Sequence, residues 1–194
     1  MPQQPRAVHD PQVLRAIAHP VRNRVLTELS AQGSMRAADV ARELDIPANQ
    51  ASFHLRQLAK YGLVEEDPAA ARDKRDRVWK AVHPEGLQVN LKELEEAPGG
   101  KAASAVFRRS SAAWGHVVVD TVLSDFRTPD THTSLTEAPL RLTKDEATEL
   151  AAELSDLVER WAVKTRGRDD ARRTYLYYAA LLPHPVTHAA EEDA

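Results

Sequence analysis

The chain has 194 residues, 42% of them hydrophobic and 28% charged, with a net charge of −3, a composition that excludes a disordered chain and allows one ordinary domain plus a second small one. It has no cysteine, which excludes disulfides, thiolate metal sites and a cysteine nucleophile. Charge is divided unevenly: residues 1–90 carry 13 Lys+Arg against 11 Asp+Glu and residues 91–194 carry 13 against 18, so a mildly basic front half precedes an acidic back half.

The opening stretch MPQQPRAVHDP has no apolar core and reads as no signal peptide. From Val13, the apolar residues Val13, Leu14, Ile17 and Ala18 predict a first helix. His19-Pro20 breaks it and restarts the chain, because proline suits a first helical turn. Val21, Val25, Leu26 and Leu29 then form a second apolar stripe ended by Gly33. MRAADVARELD predicts a short third helix with Ala37, Val40, Ala41 and Leu44 inward. Asp45, which tolerates tight-turn geometry, and Pro47 separate it from NQASFHLRQLAKYGLV, a fourth helix ended by Gly62. Short helix, tight turn and helix follow the grammar of a helix-turn-helix.

After Gly62 the period changes. LVEED and Arg77 to Val82 have strand character, and PAAARDKRD between them predicts an exposed hairpin tip, or wing. APGGK, from Ala97 to Lys101, marks the clearest boundary. The expected division is a DNA-binding unit at 10–83, a linker at 84–100, a helical region at 101–183 and a flexible tail at 184–194. Within the helical region, residues 101–126 carry Phe107, Trp114, Val118 and Val122 on one side, widened by Val106, Ala113, Val117 and Phe126. APLRL is expected as a short strand, and Thr143 with Glu146 as a capping box. The next helix sets Ala147, Leu150, Ala151, Leu154, Leu157, Val158 and Trp161 at helical spacing. RTYLYYAALLP is expected as a final strand whose tyrosines either line a pocket or, by preference, pack on that helix. The fold class expected is mainly α with some β: an N-terminal winged helix-turn-helix and a C-terminal helical region with one or two short strands. The longest valine run, Val117 to Val119, cannot span a bilayer, so the expected location is the cytoplasm.

The fourth helix carries the chemistry. With Ala51, Leu55 and Leu58 inward, Asn49, Phe53, Arg56 and Lys60 lie opposite, flanked by Ser52, Gln50 and Gln57. Amides can bond adenine at two points, Arg and Lys favour guanine or phosphate, and an apolar group can meet the thymine methyl. Asn49, Gln50, Ser52, Phe53 and Arg56 are therefore expected to contact bases. Lys60, with Arg72, Lys74, Arg75 and Arg77 of the wing, is expected at phosphates or in the minor groove, and His54, nearer the buried flank, is expected to act as a packing or phosphate residue and not as a reader of bases.

Residues 10–83 resemble the winged-helix domain of the ArsR family of bacterial transcriptional regulators. The pieces that carry the resemblance are AHPVRNRVL, ADVARELDI, and Ser52-Phe53-His54-Leu55 followed by Leu58 and Gly62-Leu63-Val64. It implies that the fourth helix is a recognition helix and the arginine-rich hairpin a wing. Metal-sensing members place cysteines in the third helix, where this chain has Ser34, Met35, Arg36 and Ala37. His116 and Asp120 stand one turn apart, and Pro183 and Pro185 keep His184 and His188 from a helix, so no metal site and no cofactor are expected. The back half resembles the extended, non-metal members, which implies dimerisation and leaves open an unidentified small-molecule effector.

The expected function is a sequence-specific, double-stranded-DNA-binding regulator, a repressor acting as a homodimer on an imperfect palindrome. Its dimer interface is expected at Val106, Phe107, Trp114, Val117, Val118 and Phe126, with the first helix added. The competing reading is a winged-helix protein-interaction module anchored by Phe53. An enzyme is not expected: His132 beside Asp130 and Ser134 lacks a nucleophile elbow, and no Gly-rich nucleotide fingerprint follows the boundary. No catalytic residue is assigned.

Overall fold

The computed structural model describes residues 6–73, 77–124, 130–168 and 172–183. Lys74, Arg75, Phe126, the tail histidines and the tail itself lie outside the described residues. In order the elements are β1 (Arg6–Val8), α1 (Pro11–Ile17), α2 (Pro20–Gln32), β2 (Met35–Arg36), α3 (Ala37–Leu44) and α4 (Ala48–Lys60). They continue with β3 (Val64–Glu66), β4 (Val78–Ala81), β5 (Leu87–Val89), α5 (Leu91–Glu96), α6 (Gly100–Leu123) and α7 (Lys144–Thr165). The fold is mainly helical with a few short strands, and its N-terminal part is a winged helix-turn-helix.

The wing is an antiparallel pair, with Val64 opposite Ala81 and Glu66 opposite Trp79. β2 extends it on the other side of β4, pairing Met35 with Trp79. A two-residue strand has no local period and exists only through its ladder. A second, parallel pair joins β1 to β5.

The core is that of the four N-terminal helices. Leu14, Val25, Leu29, Val40, Ala51, Leu55 and Leu58 are fully buried there. Each large apolar side chain so buried stabilises by about 1.5–3 kcal/mol. Two arginines finish helix ends that the apolar pattern leaves open. Arg22 donates to the carbonyls of Ala16 (2.6 Å) and Arg15 (3.0 Å) at the end of α1, and Arg24 donates to that of Leu44 (3.3 Å) at the end of α3. A helix's last four carbonyls have no partner inside the helix, so each such bond removes an orphan.

Two expectations change. The stretch 84–100, read as a linker, holds β5 and α5, and Leu94 of α5 lies in the core at 1% exposure. α5 leads into α6, on whose N-terminal half α1 packs, and Ser110 Oγ donates there to the Ala18 carbonyl at 2.6 Å. The strands expected in APLRL and RTYLYYAALLP are absent among the described residues, and both segments are exposed throughout. A strand needs a neighbour for its N–H and C=O groups, and among the described residues neither segment pairs with a strand. Tyr175, Tyr177 and Tyr178 are each more than half exposed, and Tyr175 and Tyr177 line an open cleft together with Leu157, Val158 and Trp161 of α7 and with Arg42.

Candidate nucleic-acid interface

α4 is held from beneath by α2 and α3. Asp45 closes α3 in a left-handed conformation (φ 51°), one of the few non-glycine types that reach it at modest cost. Ile46 N then donates to the Ala41 carbonyl at 3.0 Å, and Pro47 starts α4, its carbonyl accepting from Gln50 N and Ala51 N. The turn thus turns the chain by backbone bonds, and the apolar stripe Ala51, Leu55, Leu58 anchors α4. No acidic residue occurs on α4.

The outward side of α4 is as its spacing predicts. Asn49, Gln50, Phe53, Arg56 and Lys60 are exposed, and Ser52 and Gln57 are half-buried at the flanks. Asn49 Oδ1 accepts at 2.9 Å from Gln50 N, an N–H it shares with the Pro47 carbonyl, and the donors on the Asn49 amide nitrogen are not used in that bond. Lys60 Nζ lies 5.9 Å from the Tyr61 ring centre. Phe53 is 49% exposed and sets its ring edge-on to His54, at 5.4 Å between centres.

His54, expected as a packing or phosphate residue, is placed as a packing one. It is 7% exposed and turned inward, its ring 5.0 Å from that of His19 at the start of α2. The Nδ1 atoms of both rings are buried without a protein partner. Burial lowers the pKa of His54, with the nearby His19 and Arg22 acting in the same direction. His19 is lowered likewise, first by burial and then by Arg22. At position 54 the chain gains a buried packing group, because α2 arrives over it.

In the wing, Arg77 Nε lies 3.6 Å from Glu66 Oε1, and Lys80 Nζ lies 3.3 Å from Glu65 Oε1. Both pairs are solvent-exposed, so each contributes at most about 1 kcal/mol and exchanges for a phosphate at little cost. Arg72 is exposed in the loop that joins β3 to β4. The base of the wing is tied down by Ser34 Oγ, which donates to Asp67 Oδ2 at 2.5 Å and holds that carboxyl below its usual range.

The residues expected at a dimer interface divide in two. Phe107 packs against the core, whereas Val106, Trp114 and Val117 are exposed and Val118 is half-buried. His116 and Asp120 are exposed on α6, and no cluster of three or more metal-binding side chains occurs among the described residues. Among the described residues no helix is long and apolar enough to cross a membrane.

One residue with no local signal matters beside these. Arg166, just past α7, donates through Nε to the Ser30 carbonyl (2.8 Å) and through a terminal amino group to that of Pro84 (3.1 Å). It caps α2 as Arg22 caps α1, from a distance in sequence that no periodicity reports.

Residues 17–67 match a family described as a helix-turn-helix domain. Two solved structures are similar at low level. One is a MarR family regulator from Neisseria meningitidis, at 19% identity over 75% of this chain and 78% of that one, with a TM-score of 0.31. The other is a mutant of ZitR from Lactococcus lactis in apo form, at 15% identity over 77% and 88%, with a TM-score of 0.30. No curated protein matches the chain in sequence.

Proposed function

We propose that the chain is a DNA-binding transcriptional regulator of the ArsR type that acts as a homodimeric repressor. One observation carries the reading. A helix anchored on α2 and α3 and free of acidic residues presents Asn49, Gln50, Phe53 and Arg56 to solvent beside a hairpin whose loop carries Arg72. Amide and guanidinium groups on a helix match the donors and acceptors of base edges in the major groove. The wing cations, Arg72 and Arg77 with Lys74 and Arg75 by sequence, would take phosphates and set register. Dimerisation through the exposed part of α6 would place two such helices on an imperfect palindrome, with half-sites about one helical turn apart.

The reading rests on α4 and its surroundings and needs no cofactor. Residues 10–83 would form the DNA-binding unit, and residues 101–183 the dimerising region, which could also hold a small effector. An electrophoretic shift on the DNA upstream of the chain's own gene tests it. Retention of that duplex against scrambled competitor is expected, and equal binding to both would overturn sequence-specific recognition. The exposed ring of Phe53 favours a second reading, a protein-interaction module in which that ring is the anchor. Under it Phe53→Ala would abolish capture of a protein partner, and no duplex would be retained.

A further inference from the structure

An open cleft of about 1560 Å³ lies between two walls, α2, β2 and α3 on one side and the end of α7 with residues 172–177 on the other. The walls are tied to each other. Arg166 donates to the Ser30 and Pro84 carbonyls, and Thr174 Oγ1 donates to Glu28 Oε2 at 2.7 Å, where Gln32 also donates at 2.9 Å. These bonds make the cleft part of the fold. Sites for small organic ligands measure roughly 300–1,000 Å³, so space does not limit a ligand of two fused rings.

Charge narrows the class of ligand. Six arginines line the cleft: Arg36, Arg42 and Arg72 on the first wall and Arg168, Arg172 and Arg173 on the second. Four carboxylates line it too, so the lining is positive in a chain whose net charge is −3. Three of the four are engaged within the first wall or between the walls. Asp39 and Glu43 lie 3.2 and 3.7 Å from Arg42, and Glu28 accepts from Gln32 and Thr174. The side chains of Arg168 and Arg173 have no hydrogen-bond or ion-pair partner among the described residues. A guanidinium matches a carboxylate, sulfonate or phosphate with paired N–H donors.

The same cleft holds aromatic rings. Trp161, Tyr175 and Tyr177 line it, each more than half exposed. The tyrosine run is therefore divided. Tyr178 lies over Gly115 of α6, where a Cβ would stand 3.0 Å from its hydroxyl, while Tyr175 and Tyr177 turn to the cleft. The Tyr175 hydroxyl accepts from His132 N at 3.1 Å, which holds the end of that ring. Open aromatic rings in a concave wall favour a flat ring as partner, by offset or edge-on contact.

We propose that this cleft binds an organic anion whose charged group is joined to a flat aromatic ring, with the ring among Trp161, Tyr175 and Tyr177 and the charge at Arg168 and Arg173. Such a ligand gives the small effector of the proposed function its place and chemical class, resting on that part of the reading alone. Arg72 is left to the wing.

Calorimetric titration of the full-length chain without DNA tests the site, with naphthoate as the probe. One saturable site per chain is expected. Naphthylmethanol keeps the ring and loses the charge, and inorganic phosphate keeps a charge and loses the ring. Each should bind about tenfold more weakly or worse. The double variant Arg168→Ala/Arg173→Ala should weaken naphthoate by about tenfold or more, and Tyr177→Ala by about two- to tenfold. These side chains are exposed, so their removal leaves the core intact. Trp114→Ala, on the exposed face of α6, should leave the affinity unchanged. No saturable binding at millimolar naphthoate overturns the site. So does binding that Trp114→Ala weakens while the cleft variants do not, because the probe then sits on α6. Equal affinity for naphthylmethanol or for phosphate overturns the ligand class. No DNA is present, so these outcomes stand apart from the reading of α4, which the electrophoretic shift decides.

Discussion

The imidazoles of His19 and His54 stand 5.0 Å apart at a 46° tilt, joining the first turn of α2 to the middle of α4. Burial lowers the pKa of both from the ordinary value of 6.5. Arg22 on α2 faces the pair and adds to the shift, and Tyr61 acts in turn on Arg22. A base whose folded pKa is depressed binds fewer protons folded than unfolded, so stability rises with pH across the interval between the two values. Stability should therefore be complete above about pH 6.5 and fall as the pH drops below it. Urea unfolding from pH 8 to pH 5 measures this. His54→Asn should flatten the fall, and an unchanged slope in that variant would remove the pair as its source.

On DNA, the two classes of residue should separate. Gln50→Ala should cost about 1–3 kcal/mol on the operator and much less on random duplex. Arg77→Ala, which gives up only an exposed pair with Glu66, should weaken all duplexes alike and lower the salt slope by about 0.9 if one phosphate contact is lost. Titrations on operator and scrambled duplexes at two salt concentrations check both. A Gln50→Ala protein that discriminates as well as the parent would mean that α4 does not read bases.

Gly99 and Gly100 make the corner between α5 and α6. Gly99 has φ 77°, and a Cβ on Gly100 would overlap the carbonyl oxygen of Leu94. Backbone cannot yield there as a flexible side chain would, so Gly100→Ala should destabilise by about 1–3 kcal/mol. A reduced urea midpoint with an unchanged slope is the expected signature.

Arg166→Ala removes two bonds from a charged donor to half-buried carbonyls and reopens the end of α2. The cost should be about 1–3 kcal/mol for each carbonyl left without a partner or water. Hydrogen exchange should quicken near residues 31–34 and at the end of α7, while the amides of α4 keep their protection. Uniform quickening across the chain would instead mark Arg166 as part of the global core.

The sequence by itself determined the four N-terminal helices, the turn at Asp45, the wing strands and the outward face of α4. Each depends on spacings of a few residues, where side-chain identity and backbone geometry are coupled directly. The capping box of Thr143 and Glu146 belongs with them; both of its bonds form, at 3.2 Å and 2.7 Å. Only the tertiary structure decided the rest. β2 exists because Met35 finds Trp79, Leu94 is core because α5 folds back, and His54 meets His19 because α2 arrives above it. Arg22, Arg24 and Arg166 cap helices other than those their own segments form, which no local pattern can encode. The strand patterns at 138–142 and 173–183 show the same limit in reverse. β-branched and aromatic residues favour extended backbone, but a ladder forms only where a second strand arrives to complete it.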